Sequence, residues 1–374
     1  MTVVGTRPEL IRLSRVISAL DAHTDHLLVH TGQNYDHSLS QVFFDDLGIR
    51  VPDRYLAAAG ETPAMTCGNV ISLVDGAIAE LQPEAVLVLG DTNSCLAAYA
   101  AKRRRVVVFH MEAGNRCFDD RVPEEINRRL VDHISDVNLC YSDLAREHLI
   151  REGLPPDRVI KTGSPMREVL EFYGSQIEAS DVVTRLGLVP RGYFLVSVHR
   201  EENIDDEGRF NDFVTLLGWL AEKFQKPVIV STHPRTRKRL EAGAVSVPSL
   251  VRLEQPFSYT DYVKLQTEAA AVLSDSGTIT EESNLLNFPA LNLREAQERP
   301  EGMEEAAVML VGLRIDRIEQ GLAILQTQER GARRTLRVVQ DYNVSNVSEK
   351  VVRLVVSYTD YVRRTVWRTD DLRA

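Results

Sequence analysis

The sequence predicts an α/β protein made of two doubly wound, Rossmann-like domains that face each other across a cleft. Short apolar runs rich in β-branched residues alternate with segments of helical periodicity along most of the 374 residues. Continuous apolar runs of this kind are typical of parallel strands buried on both faces. Apolar residues become sparser around residues 171–192, and the alternation then restarts. The length of the chain also suits about two domains of ordinary size. Two α/β units of similar size are therefore expected.

The first half of the chain begins with a predicted strand, a tight turn and a helix. Val3 and Val4 precede the turn Gly5-Thr6-Arg7-Pro8, and Pro8 falls in the first helical turn, where its missing N–H costs little. Apolar residues then recur at the i, i+3, i+4, i+7 spacing of a helix: Leu13, Val16, Ile17 and Leu20. Further strands are predicted at residues 27–30, 85–89, 106–110, 137–140 and 159–162.

The second half repeats the alternation. Strands are predicted at residues 193–199, 227–233, 250–253, 270–274, 290–293 and 308–311, with helical stretches such as 210–224 and 315–325 between them. We place the first domain at residues 1–168 and the second at 169–349. The last helix carries an apolar stripe and must dock on another element. The first domain is one candidate to receive the segment at about 350–374.

Composition narrows the class of protein. The chain has 54 Asp and Glu against 44 Lys and Arg, a net formal charge of −10, whereas nucleic-acid-binding proteins normally show a basic excess. No apolar run reaches the roughly 18 residues of a membrane span, and the first ten residues lack the pattern of a signal peptide. The four cysteines form no Cys-x-x-Cys pair. These features predict a soluble, cytoplasmic protein that binds neither nucleic acid nor a membrane.

Carboxylates follow the predicted strands of the first domain. In open α/β sheets the ligand lies outside the carboxyl ends of the strands. Asp91 and Glu112 occupy such strand ends, and Glu124 stands at a Pro-initiated helix start, where the dipole favours a carboxylate. Several carboxylates near one cleft allow their pKa values to be separated, as acid–base chemistry requires. Each residue alone is equally compatible with a helix cap, a turn or a surface ion pair.

The second domain carries a different signal. Ser276, Gly277 and Thr278 follow a predicted buried strand and open a helix, so backbone N–H groups and the helix dipole are available to hold a diphosphate. Glu282, one turn into that helix, is placed to accept hydrogen bonds from ribose hydroxyls. The same residues are also compatible with a plain helix cap. The P-loop and Gly-x-Gly-x-x-Gly patterns are absent from the sequence, which argues against an NTPase or an NAD enzyme.

Histidines end two predicted strands of the second domain. His199 and His233 are expected to point toward the cleft, where they or Arg200 are candidates to meet phosphate or sugar groups. A metal site is not predicted, because no second histidine lies three or four residues from either one. Arg7, in the first turn of the chain, is a further candidate for anion binding.

Six short motifs occur in order along nearly the whole chain, and each alone would be weakly specific. Together they resemble the non-hydrolysing UDP-N-acetylglucosamine 2-epimerase family: Gly5-Thr6-Arg7-Pro8-Glu9, Gly90-Asp91-Thr92, His110-Met111-Glu112-Ala113-Gly114, Pro123-Glu124-Glu125-Ile126-Asn127-Arg128, Asp275-Ser276-Gly277 with Glu281-Glu282, and Glu298-Arg299-Pro300-Glu301. The resemblance implies a two-domain fold like that of B-type (GT-B) glycosyltransferases, usually a homodimer, and a UDP-linked 2-acetamido sugar as substrate.

Within this family the chain is more similar to a branch that makes UDP-N-acetyl-L-fucosamine from UDP-2-acetamido-2,6-dideoxy-L-talose for bacterial surface polysaccharides. Five segments carry this similarity: 11–14, 30–35, 90–94, 114–118 and 161–165. The glucosamine-type enzymes usually have Lys in place of Arg12 and Gly in place of Thr278. Because a guanidinium does not replace an ammonium at a contact site, this difference weakens the plain UDP-N-acetylglucosamine assignment.

The resemblance also implies roles for individual residues. Asp91, Glu112 and Glu124 match the proton-transfer positions, and His199 belongs with the catalytic set. No metal and no redox cofactor are expected, because the chemistry is proton movement and C–O cleavage. The remaining positions match contacts to the substrate and its UDP group, with Glu282 at the ribose and the two aromatic residues near uracil: Arg7, Arg12, Phe257, Tyr262, Ser276, Gly277, Thr278, Glu282 and Arg299.

Other functions are compatible with the same architecture. A UDP-N-acetylglucosamine 2-epimerase would use the same residues on a different sugar. A glycosyltransferase would need an acceptor groove, and a hydrolysing epimerase would release free sugar and UDP. A UDP-sugar sensor without activity is disfavoured by the complete set of carboxylates.

Overall fold

The structure is a computed structural model that describes residues 1–33, 44, 46–232, 234–242 and 247–369, without the side chains of 201, 234, 235, 241 and 242. It divides into two compact units. The first unit comprises Met1–Glu171 with Gln340–Ala374, and the second comprises Phe172–Val339.

The first unit is built on a parallel sheet. Among the described residues it has seven strands: β1 (Thr2–Val4), β2 (Leu28–His30), β3 (Arg54–Tyr55), β4 (Ala85–Leu89), β5 (Val107–Met111), β6 (Val137–Cys140) and β7 (Val159–Lys161). Their order across the sheet is β3-β2-β1-β4-β5-β6-β7. Because the order reverses between β1 and β4, this is the doubly wound arrangement that places ligands at the carboxyl ends of those strands.

Helices pack on this sheet and bury its apolar side chains. Those described in the first unit are Arg7–His23, Pro63–Leu81, Ala97–Arg103, Pro123–Ile134, Asp143–Arg151, Met166–Phe172 and Val347–Thr365, with 3-10 turns at Asn93–Leu96 and Pro156–Arg158. Strand residues such as Val3, Val86 and Val108 are fully buried in the core. The last helix packs against the first helix and β5, so the chain ends on the unit where it begins.

The second unit repeats the plan. Its described strands are β8 (Phe194–Ser197), β9 (Val228–Ser231), β10 (Val251–Glu254), β11 (Ala271–Ser274), β12 (Ala290–Asn292) and β13 (Met309–Leu310), in the parallel order β10-β9-β8-β11-β12-β13. Its helices are Gly174–Ala179, Val182–Arg185, Glu201–Ile204, Glu207–Phe224, Pro234–Ala242, Tyr259–Glu268, Ile279–Leu286, Pro300–Glu304 and Ile315–Leu325. The predicted fold class, two doubly wound α/β units, is confirmed.

The first unit boundary lies three residues after the predicted 168/169, and the second lies ten residues before the predicted 349/350. The segment from Gln340 onward belongs to the first unit, because Ser164 donates its backbone N–H to the carbonyl of Asp341 (3.0 Å) and Glu168 accepts a hydrogen bond from the backbone N of Ser348 (2.9 Å). These contacts join residues about 180 positions apart, and neither apolar periodicity nor turn residues report them.

One helix of the described chain is long and apolar enough to cross a membrane by length and composition alone. It is Pro63–Leu81, whose most apolar window has a mean hydropathy of 1.2. The helix packs against Ala97–Arg103 and the turn Asn93–Leu96, and it buries Val70 and Val74 against them. This packing is typical of a core-facing helix in an α/β unit.

Candidate active site

Three neighbouring strands of the first sheet, β1, β4 and β5, end at the same edge. The residues that directly follow these strands are Gly5, Gly90 and Glu112. The helix Arg7–His23 begins one residue after Thr6, whose side chain and Glu9 form a capping box. Side chains from three distant parts of the sequence therefore come together at this edge.

Glu9 joins two of these segments. Its Oε2 accepts hydrogen bonds from the backbone N of Gly5 (2.6 Å) and of Thr6 (2.7 Å). Its Oε1 accepts hydrogen bonds from the hydroxyls of Ser94 (2.6 Å) and Thr92. Burial raises the pKa of Glu9, and the hydrogen bonds from the two hydroxyls and the two backbone groups oppose this rise. The first turn of the chain and the loop after β4 are thereby held in a fixed relation.

Glu112 has an unusual backbone and a charged partner. Its φ of +65° is left-handed, a conformation that is uncommon outside glycine and is found disproportionately at functional sites. Its Oε2 lies 2.9 Å from Nη1 of Arg12, and its Oε1 accepts a hydrogen bond from Nδ2 of Asn115 at 3.3 Å. The side chains of Arg12 and Glu112 are only 3% and 12% exposed. The two contacts fix the direction of the Glu112 carboxylate.

Asp91 is held by the helix Pro123–Ile134. Its Oδ2 accepts a hydrogen bond from Nε of Arg128 at 2.9 Å and lies 2.6 Å from Nη2 of the same residue. Asn127 donates from Nδ2 to the backbone carbonyl of Asp91 (2.9 Å). Glu124 is half-buried in the first turn of this helix. The helix therefore presents a guanidinium to Asp91 and carries Glu124 in its first turn.

His110, within β5, is fully buried and connects the loops after β4 and β5. Its Nε2 donates to the carbonyl of Gly90 (2.8 Å), and its Nδ1 lies 2.9 Å from Oδ1 of Asp132. Asp132 also accepts hydrogen bonds from the backbone N of Gly114 (3.2 Å) and from Nη1 of Arg116 (2.6 Å). Burial alone would lower the pKa of His110, but Asp132, the carbonyl of Gly90 and the charge of Asp91 together outweigh burial, and the pKa is raised. Because both ring nitrogens face acceptors, this site stabilises the imidazolium form.

Asp275 organises the strand ends of the second unit, where β8 and β11 are neighbours. Its buried carboxylate accepts hydrogen bonds from the backbone N of His199 (3.1 Å), the backbone N of Arg200 (3.0 Å) and Nδ2 of Asn203 (3.1 Å). Nδ1 of His199 lies 3.1 Å from Oδ1 of Asp275. Burial opposes ionisation, but the charge of His199 and the hydrogen bonds lower the pKa of Asp275 to about 2. The imidazole ring is thus oriented while remaining 37% exposed.

The loop from Ser276 to Thr278 leads from β11 into the helix Ile279–Leu286. The hydroxyls of Ser276 and Thr278 lie 3.0 Å apart, and the backbone N of Ser276 donates to Oγ of Ser274 (3.1 Å). A loop of small residues before a helix start presents backbone N–H groups and the positive end of the helix dipole. With His199 on the neighbouring strand end, this edge is suited to an anion.

Further predicted contacts surround this helix. Glu282, which is 5% exposed, accepts a hydrogen bond from Nε2 of the buried Gln266 (2.6 Å). Nε of Arg299 lies 3.1 Å from Oε1 of Glu281. The two predicted uracil contacts are partly buried against an apolar cluster of the same unit: Phe257 and Tyr262.

The structure gathers the predicted residues into two groups, one in each unit. Arg7, Arg12, Asp91, Glu112 and Glu124 lie in the first unit at the edge described above. The others lie in the second unit: His199, Phe257, Tyr262, Ser276, Gly277, Thr278, Glu282 and Arg299. His233 lies outside the described residues. The roles assigned to all of these residues remain predictions.

Four residues that organise these groups were not among the predicted site residues. Glu9, Arg128 and Asp275 fall inside the six motifs. A charged residue within a motif was therefore a signal that could have identified them as site residues. Gln266 falls in no motif, and its contact with Glu282 becomes visible only in the fold. The part of the chain that the structure describes contains no group of three or more His, Cys, Asp or Glu placed to hold a metal ion.

Two doubly wound units with these strand-end groups define a class, that of GT-B-like enzymes. A sequence model of one such family, UDP-N-acetylglucosamine 2-epimerase, matches residues 18–356. The chain belongs to this family and is an isomerase of the UDP-sugar 2-epimerase type.

Relatives and solved structures agree with this placement. UDP-2,3-diacetamido-2,3-dideoxy-D-glucuronate 2-epimerase of Pseudomonas aeruginosa is 34% identical over 324 residues, 85% of this chain and 89% of the relative. The structure of UDP-N-acetylglucosamine 2-epimerase from Rickettsia bellii is 49% identical, covers 99% of both chains and has a TM-score of 0.91. That of the Methanocaldococcus jannaschii UDP-GlcNAc 2-epimerase, in complex with UDP-GlcNAc and UDP, is 30% identical, covers 95% of this chain and 98% of that chain, and has a TM-score of 0.88.

Proposed function

We propose that the chain inverts C2 of UDP-2-acetamido-2,6-dideoxy-L-talose to give UDP-N-acetyl-L-fucosamine, a precursor of bacterial surface polysaccharide. The observation that carries the proposal is the ion pair between Arg12 and Glu112. The glucosamine-type enzymes usually have Lys at this position, and the rigid fork of a guanidinium holds a carboxylate differently from an ammonium. The sequence segments similar to the L-fucosamine branch point to the same substrate.

The proposed reaction avoids a free carbanion at C2, where the proton is very weakly acidic. In the first half, a carboxylate takes the C2 proton while the C1–O bond to UDP breaks. The products are UDP and a 2-acetamidoglycal with a C1=C2 double bond. In the second half, a carboxyl group returns a proton to the opposite face of C2 and a phosphate oxygen of UDP re-forms the bond to C1. The chemistry requires two proton-transfer groups and a site for the departing diphosphate.

The proposal assigns proton transfer to the first unit. Glu112 and Asp91 act as base and acid, with Glu124 as the third candidate. The contact of Glu112 supports its role as the base, since Nη1 of Arg12 lies 2.9 Å from its Oε2. Such a neighbour favours the charged carboxylate that a base needs. Each well-placed acid or base contributes about 10²–10⁴ in rate.

The proposal assigns UDP to the second unit and to Arg7. His199, Ser276, Gly277, Thr278 and Arg299 hold the diphosphate, Glu282 accepts from the ribose, and the aromatic pair Phe257 and Tyr262 lies against uracil. The support is electrostatic, because a helix start of small residues and an oriented imidazole both favour negative charge. No metal or redox cofactor enters the proposed steps.

The test follows C2 by NMR in D₂O with the two candidate substrates supplied separately. Turnover of the L-talose isomer should place deuterium at C2 of the product, and UDP should stay on the sugar. Faster turnover of UDP-N-acetylglucosamine would replace the proposed substrate by the second candidate, which the names of the relatives favour. Epimerised product without deuterium would overturn the mechanism, and released free sugar would indicate a hydrolysing enzyme.

Variants separate chemistry from binding. Glu112→Gln and Asp91→Asn should each lower turnover by on the order of a hundredfold while calorimetry still detects UDP binding. Glu147→Gln, on an exposed helix surface of the same unit, is the matched control and should keep normal turnover. Near-normal turnover of either variant would remove that residue from the mechanism.

We also propose a cytoplasmic homodimer. Exposed apolar residues lie on three helices that pack in series: Leu73, Tyr99, Ile126 and Leu130. Exposed apolar side chains on neighbouring helices are typical of a subunit interface. Light scattering should give the mass of two chains, and Ile126→Asp should give one; a monomeric wild-type protein would contradict the proposal.

A further inference from the structure

The second unit contains a cavity of about 420 Å³ at the edge of its sheet opposite the Ser276 loop. Phe194 and Ala271, the paired first residues of β8 and β11, line it. Because the Ser276 loop follows the carboxyl end of β11, the cavity lies at the other end of the same strand. It is therefore separate from the residues to which we assign UDP.

Part of the cavity lining is apolar. Phe224 lies at the end of the helix Glu207–Phe224, and Leu322 and Leu325 lie near the end of the helix Ile315–Leu325. The volume falls in the range of sites for small organic molecules, which are typically about 300–1,000 Å³. An apolar surface of this kind can hold a ring or a short hydrocarbon group.

Another part of the lining is cationic. Arg191, Lys226 and Arg330 line it, with Glu329 as the acidic residue of the lining. Within the described chain, none of the three cations lies within 4.0 Å of a carboxylate. Lys226 donates from Nζ to the carbonyl of Arg191 (3.3 Å), and Arg330 donates from Nη1 to the carbonyl of Ala269 (2.8 Å).

Arg191 and Arg330 are close enough to repel one another. Arg330 is half-buried, and burial lowers the pKa of its guanidinium. The charge of Arg191 lowers that pKa further, while Glu268 acts in the opposite direction. Like charges held together at the wall of a cavity are destabilising, and an anion bound among them would relieve the repulsion.

We propose that this cavity binds an aromatic carboxylate or sulfonate, whose charged group meets Arg191, Lys226 and Arg330 and whose ring lies on Phe224 and Leu322. An inorganic anion would satisfy the cations but leave the apolar side in contact with water. A neutral ring would cover the apolar side but leave the cations without a counter-charge. The two halves of the lining together select a molecule that has both features.

The probe is 1-anilinonaphthalene-8-sulfonate, an aromatic sulfonate whose fluorescence rises in apolar sites. Trp219 reports on the cavity, because its ring lies 5.7 Å from that of Phe224. The chain has two tryptophans, so Trp367→Phe leaves Trp219 as the single tryptophan donor. Saturable energy transfer from Trp219 to the probe is expected in the full-length protein.

Charge reversal locates the site. Lys226→Glu and Arg191→Glu should each weaken probe binding at least about tenfold, which corresponds to about 1.4 kcal/mol. The matched control is Lys238→Glu, an exposed lysine of the same unit that lies outside the cavity lining, which should leave binding within about twofold. Equal binding by the control and both reversal variants would overturn the proposal, and so would the absence of energy transfer in the parent protein.

Competition tests the ligand class. The anion 2-naphthoate should displace the probe, whereas neutral 2-naphthylmethanol and inorganic phosphate at the same concentration should not. Displacement by phosphate would show that charge alone suffices, and displacement by the neutral alcohol would show that the ring alone suffices. Either result would overturn the assignment to an aromatic anion.

Discussion

Nη1 of Arg12 lies 2.9 Å from Oε2 of Glu112, although the two residues are 100 positions apart in the sequence. The guanidinium also lies 5.6 Å from the ring centroid of Tyr141, so it is held between a carboxylate and an aromatic face. Arg12 is therefore in place to position Glu112. Its predicted contact with the substrate remains a prediction.

Removal of this guanidinium should impair turnover more than UDP binding. In Arg12→Met the Glu112 carboxylate keeps its burial and loses its charged partner, so turnover should fall by on the order of a hundredfold. The turnover of Arg12→Lys should lie between those of Arg12→Met and the parent, because an ammonium restores the charge but not the planar fork of the guanidinium. Steady-state kinetics and calorimetry with UDP separate the two effects. The control is the exposed Arg103→Met, and a large loss of UDP affinity in Arg12→Met would contradict the positioning role.

Much of the fold could be predicted because the apolar pattern reports it directly. Strand residues such as Val86–Leu89 are buried on both faces, so they form continuous apolar runs. The identity of Asp91 and Glu112 as strand-end residues followed from the same pattern. Contacts between segments could not be predicted, since Glu9 to Ser94 and Arg12 to Glu112 depend on how a helix lies on the sheet.

The same limit explains the residues that sequence reasoning missed. Asp275 follows β11 and was recognised as part of a motif, but its four contacts with residues 199–203 arise only because β8 and β11 pair in the sheet. A motif indicates that a residue is important without indicating which partner it holds. The contacts of each strand-end residue are therefore visible only in the structure.

His110 should make stability depend on pH above about 6.5. Its raised pKa means that the folded protein binds the proton more tightly than the unfolded chain, whose value is near 6.5. The added stability is fully present below pH about 6.5 and is lost as pH rises through the raised folded value. His110 faces Asp132, and Asp91 also acts on its charge. The melting temperature of His110→Asn should therefore lie furthest below that of the parent at acidic pH. The exposed His23→Asn is the control, and a pH-independent difference for His110→Asn would contradict the imidazolium assignment.

Asp275 should make the second unit sensitive to acid. Its pKa is about 2 in the folded protein against an ordinary 3.8, so it contributes about 2 kcal/mol of stability above pH 4 that is lost as pH falls toward 2. Urea unfolding followed by Trp219 fluorescence in the Trp367→Phe background should show this loss. Asp275→Asn should start less stable and vary less between pH 5 and pH 3. The exposed Asp212→Asn should follow the parent, and a parent-like acid response in Asp275→Asn would reject Asp275 as the source.

Gly114 should tolerate no side chain, because two separate constraints act on it. Its φ is +84°, which costs a residue with Cβ about 1–2 kcal/mol. A Cβ at this position would also lie 2.2 Å from the carbonyl oxygen of Ala145, and such overpacking typically adds about 1–3 kcal/mol.

Gly153 is the matched control, since its φ is +90° but nothing lies within 4 Å of a Cβ built there. In urea unfolding followed by Trp367 fluorescence in a Trp219→Phe background, Gly114→Ala should lose clearly more stability than Gly153→Ala. It should also lower turnover, because Gly114 donates its N–H to Asp132 beside the Glu112 loop. Equal losses in the two variants would mean that the loop after β5 can shift away from Ala145.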